Sequence, residues 1–402
     1  MEIKQQDIRR LTKDQLKEFF IAQGDKAFRA QQIYEWLWVK SLKNFDDMTN
    51  ISLPTREMLK QHFTIKDMHV DDMQRSSDGT IKNAVKLHDG LIVESVLIPT
   101  PKRITACISS QVGCSLDCEF CATARLKKMR NLNPDEIYDQ VAAINKESLL
   151  YFNHKLSNIV YMGMGEPLMN YNNVLKSIEK ITSSEGLGMS PKRITVSTSG
   201  IPKMIKKLAD DEVKFNLAVS LHSAIDEVRS KIMPFSKAFP LKDLKESLEY
   251  WYSKTGSRVT YEYVVWKDIN DSREAINALV KFCKHIPCKV NIIEYNPISF
   301  SDFTNTEKDK LDIFKDYLED KGVIVNVISH DNYHDFSGVE SATSMVSGFT
   351  TSWAKELNPF NIRVGGVVPA IHHLSGKVDD QHWAEIQDEL IRSTEYIVSN
   401  EY

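Results

Sequence analysis

Long apolar runs are missing from this 402-residue chain. None approaches the ~18 residues that a membrane-spanning helix needs, and the opening MEIKQQDIRR lacks the apolar core of a secretory signal. A cytoplasmic protein with no membrane partner is therefore expected. Glycine and proline are sparse, at 16 and 13 residues, beside 42% hydrophobic and 26% charged residues, which excludes collagen-like, low-complexity and wholly disordered readings. No excess of one charge exists either. The 51 Lys+Arg against 55 Asp+Glu leave −4, which excludes a protein basic all over. No G-x3-G-x-G follows a first strand, so a dinucleotide-binding half is lacking. Cysteine is scarce too: there are six, and none follows Cys288.

Four of those six, Cys107, Cys114, Cys118 and Cys121, fall within fifteen residues. Such clustering points to metal or redox chemistry rather than a disulfide framework. Cys114, Cys118 and Cys121 read C-x3-C-x2-C in GCSLDCEFCATA. Three thiolates on a short loop can hold three irons of a [4Fe-4S] cube and leave the fourth open to a substrate or cofactor. A structural zinc site would need a fourth thiol or imidazole at matched spacing, and Cys283 and Cys288, among apolar neighbours, read as core thiols.

After the cysteine loop and a helical stretch over 134–148, the chain reads SNIVYMGMGEPLMN, KRITVSTSG, FNLAVSLHSA, VTYEYVVWKDIND and KVNIIEYNPI. Each is a β-branched run ending in Gly, Ser, His or Asn, and segments such as 171–185 and 241–255 between them can form helices. This alternation predicts parallel strands with crossover helices, and functional residues at the carboxyl ends of the strands. Gly163 and Gly165 permit a close backbone approach or a tight strand-to-helix turn, and Glu166 can accept from an ammonium or a ribose hydroxyl.

Taken together, FRAQQIYEWLWVK, NFDDMTNIS, ESVLIP, CISSQVGCSLDCEFCATA, GMGEPL, VSTSG, SLHSA and EYNP resemble the RlmN/Cfr type of radical S-adenosylmethionine RNA methyltransferases. The likeness runs to about Val327, roughly four fifths of the chain. It implies an α/β fold, a partial parallel (β/α) barrel of radical SAM type with an N-terminal small helical domain. It also implies a [4Fe-4S] cluster and S-adenosyl-L-methionine as cofactors, RNA (23S rRNA and tRNA) as partner, an electron donor such as flavodoxin, and a monomer. By motif position, Cys114, Cys118 and Cys121 would ligate the cluster; Gly165, Glu166, Ser197, Ser220, Leu221, His222 and Asn296 would line the cofactor site; and Glu94 would be the proton acceptor. A satisfied core role for His222 and a surface role for Glu94 are the alternatives.

In that family a cysteine near the C-terminus first takes the methyl group, the cofactor-derived radical abstracts hydrogen from it, and the carbon radical adds to carbon 2 of an adenine. A second cysteine resolves the adduct through a disulfide. The resemblance assigns that resolving role to Cys107, seven residues before Cys114. The carrier has no counterpart: where its motif is due, the chain reads ISHDNYHDFSGVESATS. The chain is thus expected to bind a cluster and to cleave the cofactor without completing methyl transfer. The alternative is a catalytically impaired RNA- or cluster-binding protein.

From about Gly322 the sequence GVIVNVISHDNY to NIRVGGVVPAI resembles the second half of a short-chain dehydrogenase/reductase, without that family's Tyr-x3-Lys, which argues against a degenerate oxidoreductase. Residues 331–402 hold four basic against eleven acidic residues, −7, leaving +3 for the rest, and Trp383, Ile386, Leu390 and Ile391 have the spacing of an acidic amphipathic helix. The domains expected are a helical unit at 1–65, a β extension at 66–100, the radical SAM core at 101–327 and an atypical C-terminal α/β segment at 328–402. Lys102, Arg103, Arg125, Lys127, Lys128 and Arg130 against Asp117 and Glu119 suggest a phosphate-facing patch, and aromatic residues of the helical unit, such as Trp36 and Trp38, suggest help in gripping RNA.

Overall fold

A computed structural model describes residues 5–298 and 301–328. The reductase-like segment and its acidic helix, expected over 328–402, lie outside the described residues from 329 onward. One unit takes in the described chain to Met73 and again from Lys82 to Ile328; Gln74–Ile81 falls outside it. That short piece holds a turn in which the Asp78 carboxylate accepts from the Thr80 N–H and hydroxyl, both at 2.8 Å.

The helical unit begins with β1 (Gln6–Asp7) and α1 (Lys13–Ala22), continues through α2 (Arg29–Tyr34) and α3 (Leu53–His62), and closes on β2 (Phe63–Thr64), parallel to β1. Its helix starts are written in the sequence. Thr12 and Gln15 form a reciprocal capping box on α1, and Ser52 caps α3 ahead of Pro54 at the start of that helix. Trp38 is core, edge-on to Tyr138 at 5.1 Å, and Trp36 is half-buried beneath Lys40, 3.5 Å from its ring. Buried Arg9 bonds Asp139 at 2.7 Å and lies near Asp7 and Asp135, tying this unit to the long helix beyond the cysteine loop.

The β extension consists of β3 (His69–Arg75), β4 (Ile81–Lys86) and β5 (Ile92–Thr100), followed by β6 (Arg103–Cys107). It is continuous with the barrel sheet rather than separate from it. β5 pairs antiparallel with β6, and β6 pairs parallel with β9 (Asn158–Tyr161), so β6 turns an antiparallel meander into a parallel sheet. Between them come β7 (Gln111–Val112), β8 (Arg130–Asn131) and α4 (Pro134–Phe152).

From β9 the chain alternates: α5 (Tyr171–Thr182), β10 (Ile194–Thr198), α6 (Pro202–Asp210), β11 (Asn216–Ser220), α7 (Asp226–Ile232), α8 (Leu241–Thr255), β12 (Val259–Val264), α9 (Arg273–Cys283), β13 (Cys288–Ile293), α10 (Lys308–Asp320) and β14 (Ile324–Ile328). Among the described residues the sheet order is β14-β13-β12-β11-β10-β9-β6-β5-β4-β3, open at β3 and β14, hence a partial barrel with a mixed sheet. β12 is buried at all six positions, as a central parallel strand covered on both faces should be. Every expected parallel strand thus falls on its β-branched run.

Candidate cluster and cofactor site

Two short strands make the cysteine loop a closed structure. β7 and β8 pair antiparallel, Gln111 with Asn131 and Val112 with Arg130, and close the base of the loop. Its tip is fastened to the end of α7: the Glu119 N–H donates to the Ile232 carbonyl at 3.0 Å, and the Asp117 carboxylate accepts from the Phe235 N–H at 2.9 Å. Cys118 packs with Ile232, Met233, Val264, Trp266 and Tyr295 at the carboxyl end of the barrel.

That end encloses a cavity of about 300 Å³. Cys114, Cys118 and Cys121 line it, with Gly165 and Glu166 after β9, Ser197 on β10, Ser220 on β11, and His222 just beyond. Of the residues the sequence pointed to, the structure therefore gathers these eight. Leu221 is wholly buried outside the cavity wall, with its N–H donating to the Glu262 carbonyl at 3.0 Å, and Asn296 lies on the exposed loop after β13. Cys107 and Glu94 sit beside the wall. They occupy one face of the β5–β6 pair, where Val96 is opposite Cys107. Burial pushes the Cys107 thiol up to about 12, eased by a bond to the Met162 backbone, and Met162 lines the cavity. Glu94 is half-buried and pairs with Lys82 at 2.8 Å.

The glycines serve the chain's own packing. At Gly165, φ is +96° and a Cβ would lie 2.5 Å from the Gln111 Cβ; at Gly163 a Cβ would lie 2.8 Å from the Ile108 carbonyl. The turn they permit aims Glu166 inward. Its carboxylate accepts from the Leu168 N–H at 3.0 Å, the Ser199 N–H at 2.8 Å and the Ser199 hydroxyl at 2.6 Å, so most of its acceptor capacity is already used to pin β9 to β10. Burial raises its pKa above the ordinary carboxyl range, against those bonds.

His222 is a hydrogen-bonded core residue that also lies on the cavity wall. Its Nδ1 accepts from the Val264 N–H at 3.1 Å, which fixes the proton on Nε2, and the ring lies edge-on to Phe120 and Trp266. Burial, then Arg229, lowers its pKa to about 3, so the ring is a neutral, oriented Nε2–H donor on the cavity wall.

Three functional candidates escaped the sequence reading. Glu262 on β12 lines the cavity, accepts from Asn291 Nδ2 at 2.9 and 3.2 Å, and is pushed up to about 7 by burial. A carboxyl inside the apolar run VTYEYVV was the available signal. Ser199, one residue past β10, holds Glu166. Arg229, within DEVRSK, is buried although its sequence context is that of a solvated helix face.

The thiols fit a cluster. Burial raises Cys114, and burial and its two neighbours drive Cys118 well above the thiol range, so both are neutral until metal binding displaces the proton to solvent. Among the described residues no three His, Cys, Asp or Glu side chains are gathered closely enough to hold one metal ion. Three thiols that face one cavity without converging on a point suit the separate corners of a cube rather than mononuclear zinc. The expected basic patch is partly self-neutralised: Arg125 pairs with Glu119 at 2.6 Å, and Arg130 with Glu136 at 2.7 Å and Asp89 at 2.6 Å.

Comparison with known proteins agrees with this geometry. Residues 6–65 match the Ribosomal RNA large subunit methyltransferase N-terminal domain, and residues 108–282 match the Radical SAM superfamily. The chain is 70% identical over 324 residues to a "Probable dual-specificity RNA methyltransferase RlmN" of Christiangramia forsetii, covering 81% of this chain and 92% of that protein. It is 68% identical over 327 residues to a protein of the same description from Flavobacterium johnsoniae, covering 81% and 94%. Among solved structures, a radical SAM methyltransferase from Sphaerobacter thermophilus superposes with a TM-score of 0.76 at 33% identity, covering 80% of this chain and 94% of that one.

Proposed function

The chain belongs to the RlmN family of radical S-adenosylmethionine RNA methyltransferases, and from that premise we propose that it performs the radical half of the family reaction and stops short of methyl delivery. Radical SAM proteins use a [4Fe-4S] cluster and S-adenosylmethionine, which together supply a carbon radical able to take hydrogen from a C–H bond. Cys114, Cys118 and Cys121 hold three corners of the cluster. The Gly165–Glu166 turn, Ser197, Ser220, His222 through Nε2–H, and Asn296 would receive the cofactor, with Leu221 beside it between Ser220 and His222. The observation that carries this reading is the single cavity into which the three thiols and the strand-end residues face.

The substrate is RNA, with adenine carbon 2 in 23S rRNA and tRNA as the finer assignment. "Dual-specificity RNA methyltransferase" in the relatives' descriptions supports an RNA substrate of more than one kind. A target base must leave its stack to reach a cavity at the carboxyl end of a barrel, and the 1–65 unit with half-buried Trp36 and exposed Phe28, flanked by Lys26 and Arg29, offers stacking and charge. Glu94 accepts the proton, the electron comes from a flavodoxin-like donor, and the protein works as a cytoplasmic monomer with units 1–65, 66–100, 101–327 and 328–402. The sequence from about Gly322 resembles a reductase where the family's carrier motif is due. With no cysteine after Cys288, Cys107 has no disulfide partner there and the methyl relay lacks its first station.

Anaerobic reconstitution with iron and sulfide tests the site. A [4Fe-4S] spectrum that changes on adding S-adenosylmethionine, and is lost in C114S, C118S and C121S, is expected; a chain that takes up a single zinc instead refutes it.

A further inference from the structure

Arg229 is 1% exposed on the short helix α7, whose end is fastened to the cysteine loop. Its Nη2 donates to the Ser199 carbonyl at 2.7 Å and the Ser220 carbonyl at 3.4 Å, and its Nε to the Leu221 carbonyl at 3.2 Å. It thus bridges the carboxyl ends of β10 and β11, the two strands that supply Ser197 and Ser220 to the cavity. Nη1 has no hydrogen-bond partner. Among the described residues no carboxylate lies within 4.0 Å of the guanidinium, in contrast to the other buried arginine, Arg9, which has three aspartates.

A buried cation without a counter-anion costs several kcal/mol, so a fold that keeps one has a use for its charge. The charges within reach identify that use. Arg229 interacts electrostatically with Cys118 and Asp226, and Asp226 is exposed and spends a carboxylate oxygen on the Leu241 N–H at 2.8 Å. Cys118 packs against Ile232, three residues beyond Arg229 on the same helix. Once a cluster is held, three cysteinates and the iron–sulfur core carry a net negative charge, which grows by one on reduction.

We infer that Arg229 is the built-in counter-charge of the cluster: through a buried, unpaired guanidinium it stabilises the cysteinates and makes the cluster easier to reduce, while its three carbonyl bonds hold the cofactor-binding turns in place. This rests on the cluster assignment above and adds to it a residue that sets the potential. Arg229 touches neither the cavity nor the reacting atoms, so it is a positioning and tuning residue. The charge is the part that matters for reduction, and lysine can supply it without the fork of three bonds.

The test is the midpoint potential of the reconstituted full-length chain, followed by electron paramagnetic resonance with dithionite as the one-electron reductant, in the parent, R229K and R229Q. Cluster content is measured in each sample. The expected result is a reduction equilibrium in R229Q at least tenfold less favourable, 59 mV more negative, with R229K within about twofold of the parent. R229Q losing the cluster while R229K keeps it at the parental potential also supports the inference. R229Q with a full cluster at the parental potential, or R229K shifted or emptied as far as R229Q, overturns it. A parent chain that forms no cluster would instead sink the cluster assignment itself, so the two failures are distinguishable.

Discussion

Replacing Gly165 by alanine tests whether the turn after β9 is built by the chain's own crowding. Two costs add. A residue with a Cβ at φ +96° pays about 1–2 kcal/mol for left-handed backbone. The new methyl group would also stand 2.5 Å from the Gln111 Cβ and 2.7 Å from its Cγ, and overpacking of this kind costs about 1–3 kcal/mol. Gln111 cannot move away freely, because its Oε1 accepts from the Glu166 N–H at 2.9 Å and its Nε2 donates to Asn131 at 2.8 Å; losing one such bond costs about 1 kcal/mol more. The sum is about 3–6 kcal/mol. Gly256, the cap of α8 at φ +62° with nothing within 4 Å of its Cβ position, supplies the control: G256A pays the backbone cost alone. Urea unfolding of parent, G256A and G165A, followed by tryptophan fluorescence, should place G165A at least 2 kcal/mol below G256A. Equal midpoints for the two variants would refute the crowding argument, and with it the claim that Gln111 and Glu166 are held as one unit.

Other consequences can be measured alongside. R9M leaves buried Asp7 and Asp139 without their cation and Asp135 with Arg10 alone, and should cost about 3–5 kcal/mol in the same urea assay; a loss under 1 kcal/mol would mean that the helical unit is held by packing alone. Glu262, raised from 4.5 to about 7, binds its proton more tightly folded than unfolded, so its contribution is full below about pH 4.5 and is lost as pH rises to about 7. E262Q should therefore gain up to about 3 kcal/mol relative to the parent across that window, and a flat difference between the two stability curves would contradict the burial of that carboxyl. His222 has the opposite sign: its pKa is depressed to about 3, so it favours folding above about pH 6.5 and loses that contribution as pH falls toward 3, and H222N should flatten the acid side of the stability curve.

Much of this arrangement could be read from the chain because it is local. The runs from SNIVY to KVNII are short, β-branched and closed by small or polar residues, and each became a parallel strand carrying site residues at its carboxyl end. The cysteine spacing likewise lies within eight residues. The partners of those residues were not legible, because they come from far away. Gln111 meets Glu166 across 55 residues, Ser199 meets Glu166 across 33, and Arg229 reaches Ser199 across 30. Nor does anything in ESVLIP announce that its strand pairs antiparallel with β6 and so joins the extension to the barrel sheet. Charge was a poor guide: nothing in DEVRSK marks Arg229 as buried, and the basic run at 101–130, read as a phosphate-facing patch, has two of its arginines paired with carboxylates.

The most direct measurement is mass spectrometry of nucleosides and small molecules after anaerobic incubation of the reconstituted, reduced protein with S-adenosylmethionine and fragments of ribosomal and transfer RNA. The account predicts 5′-deoxyadenosine above the protein-free control and no methylated adenosine, while a relative that carries the C-terminal cysteine produces both. Formation of 2-methyladenosine by this chain would contradict it, and would require another thiol to carry the methyl group.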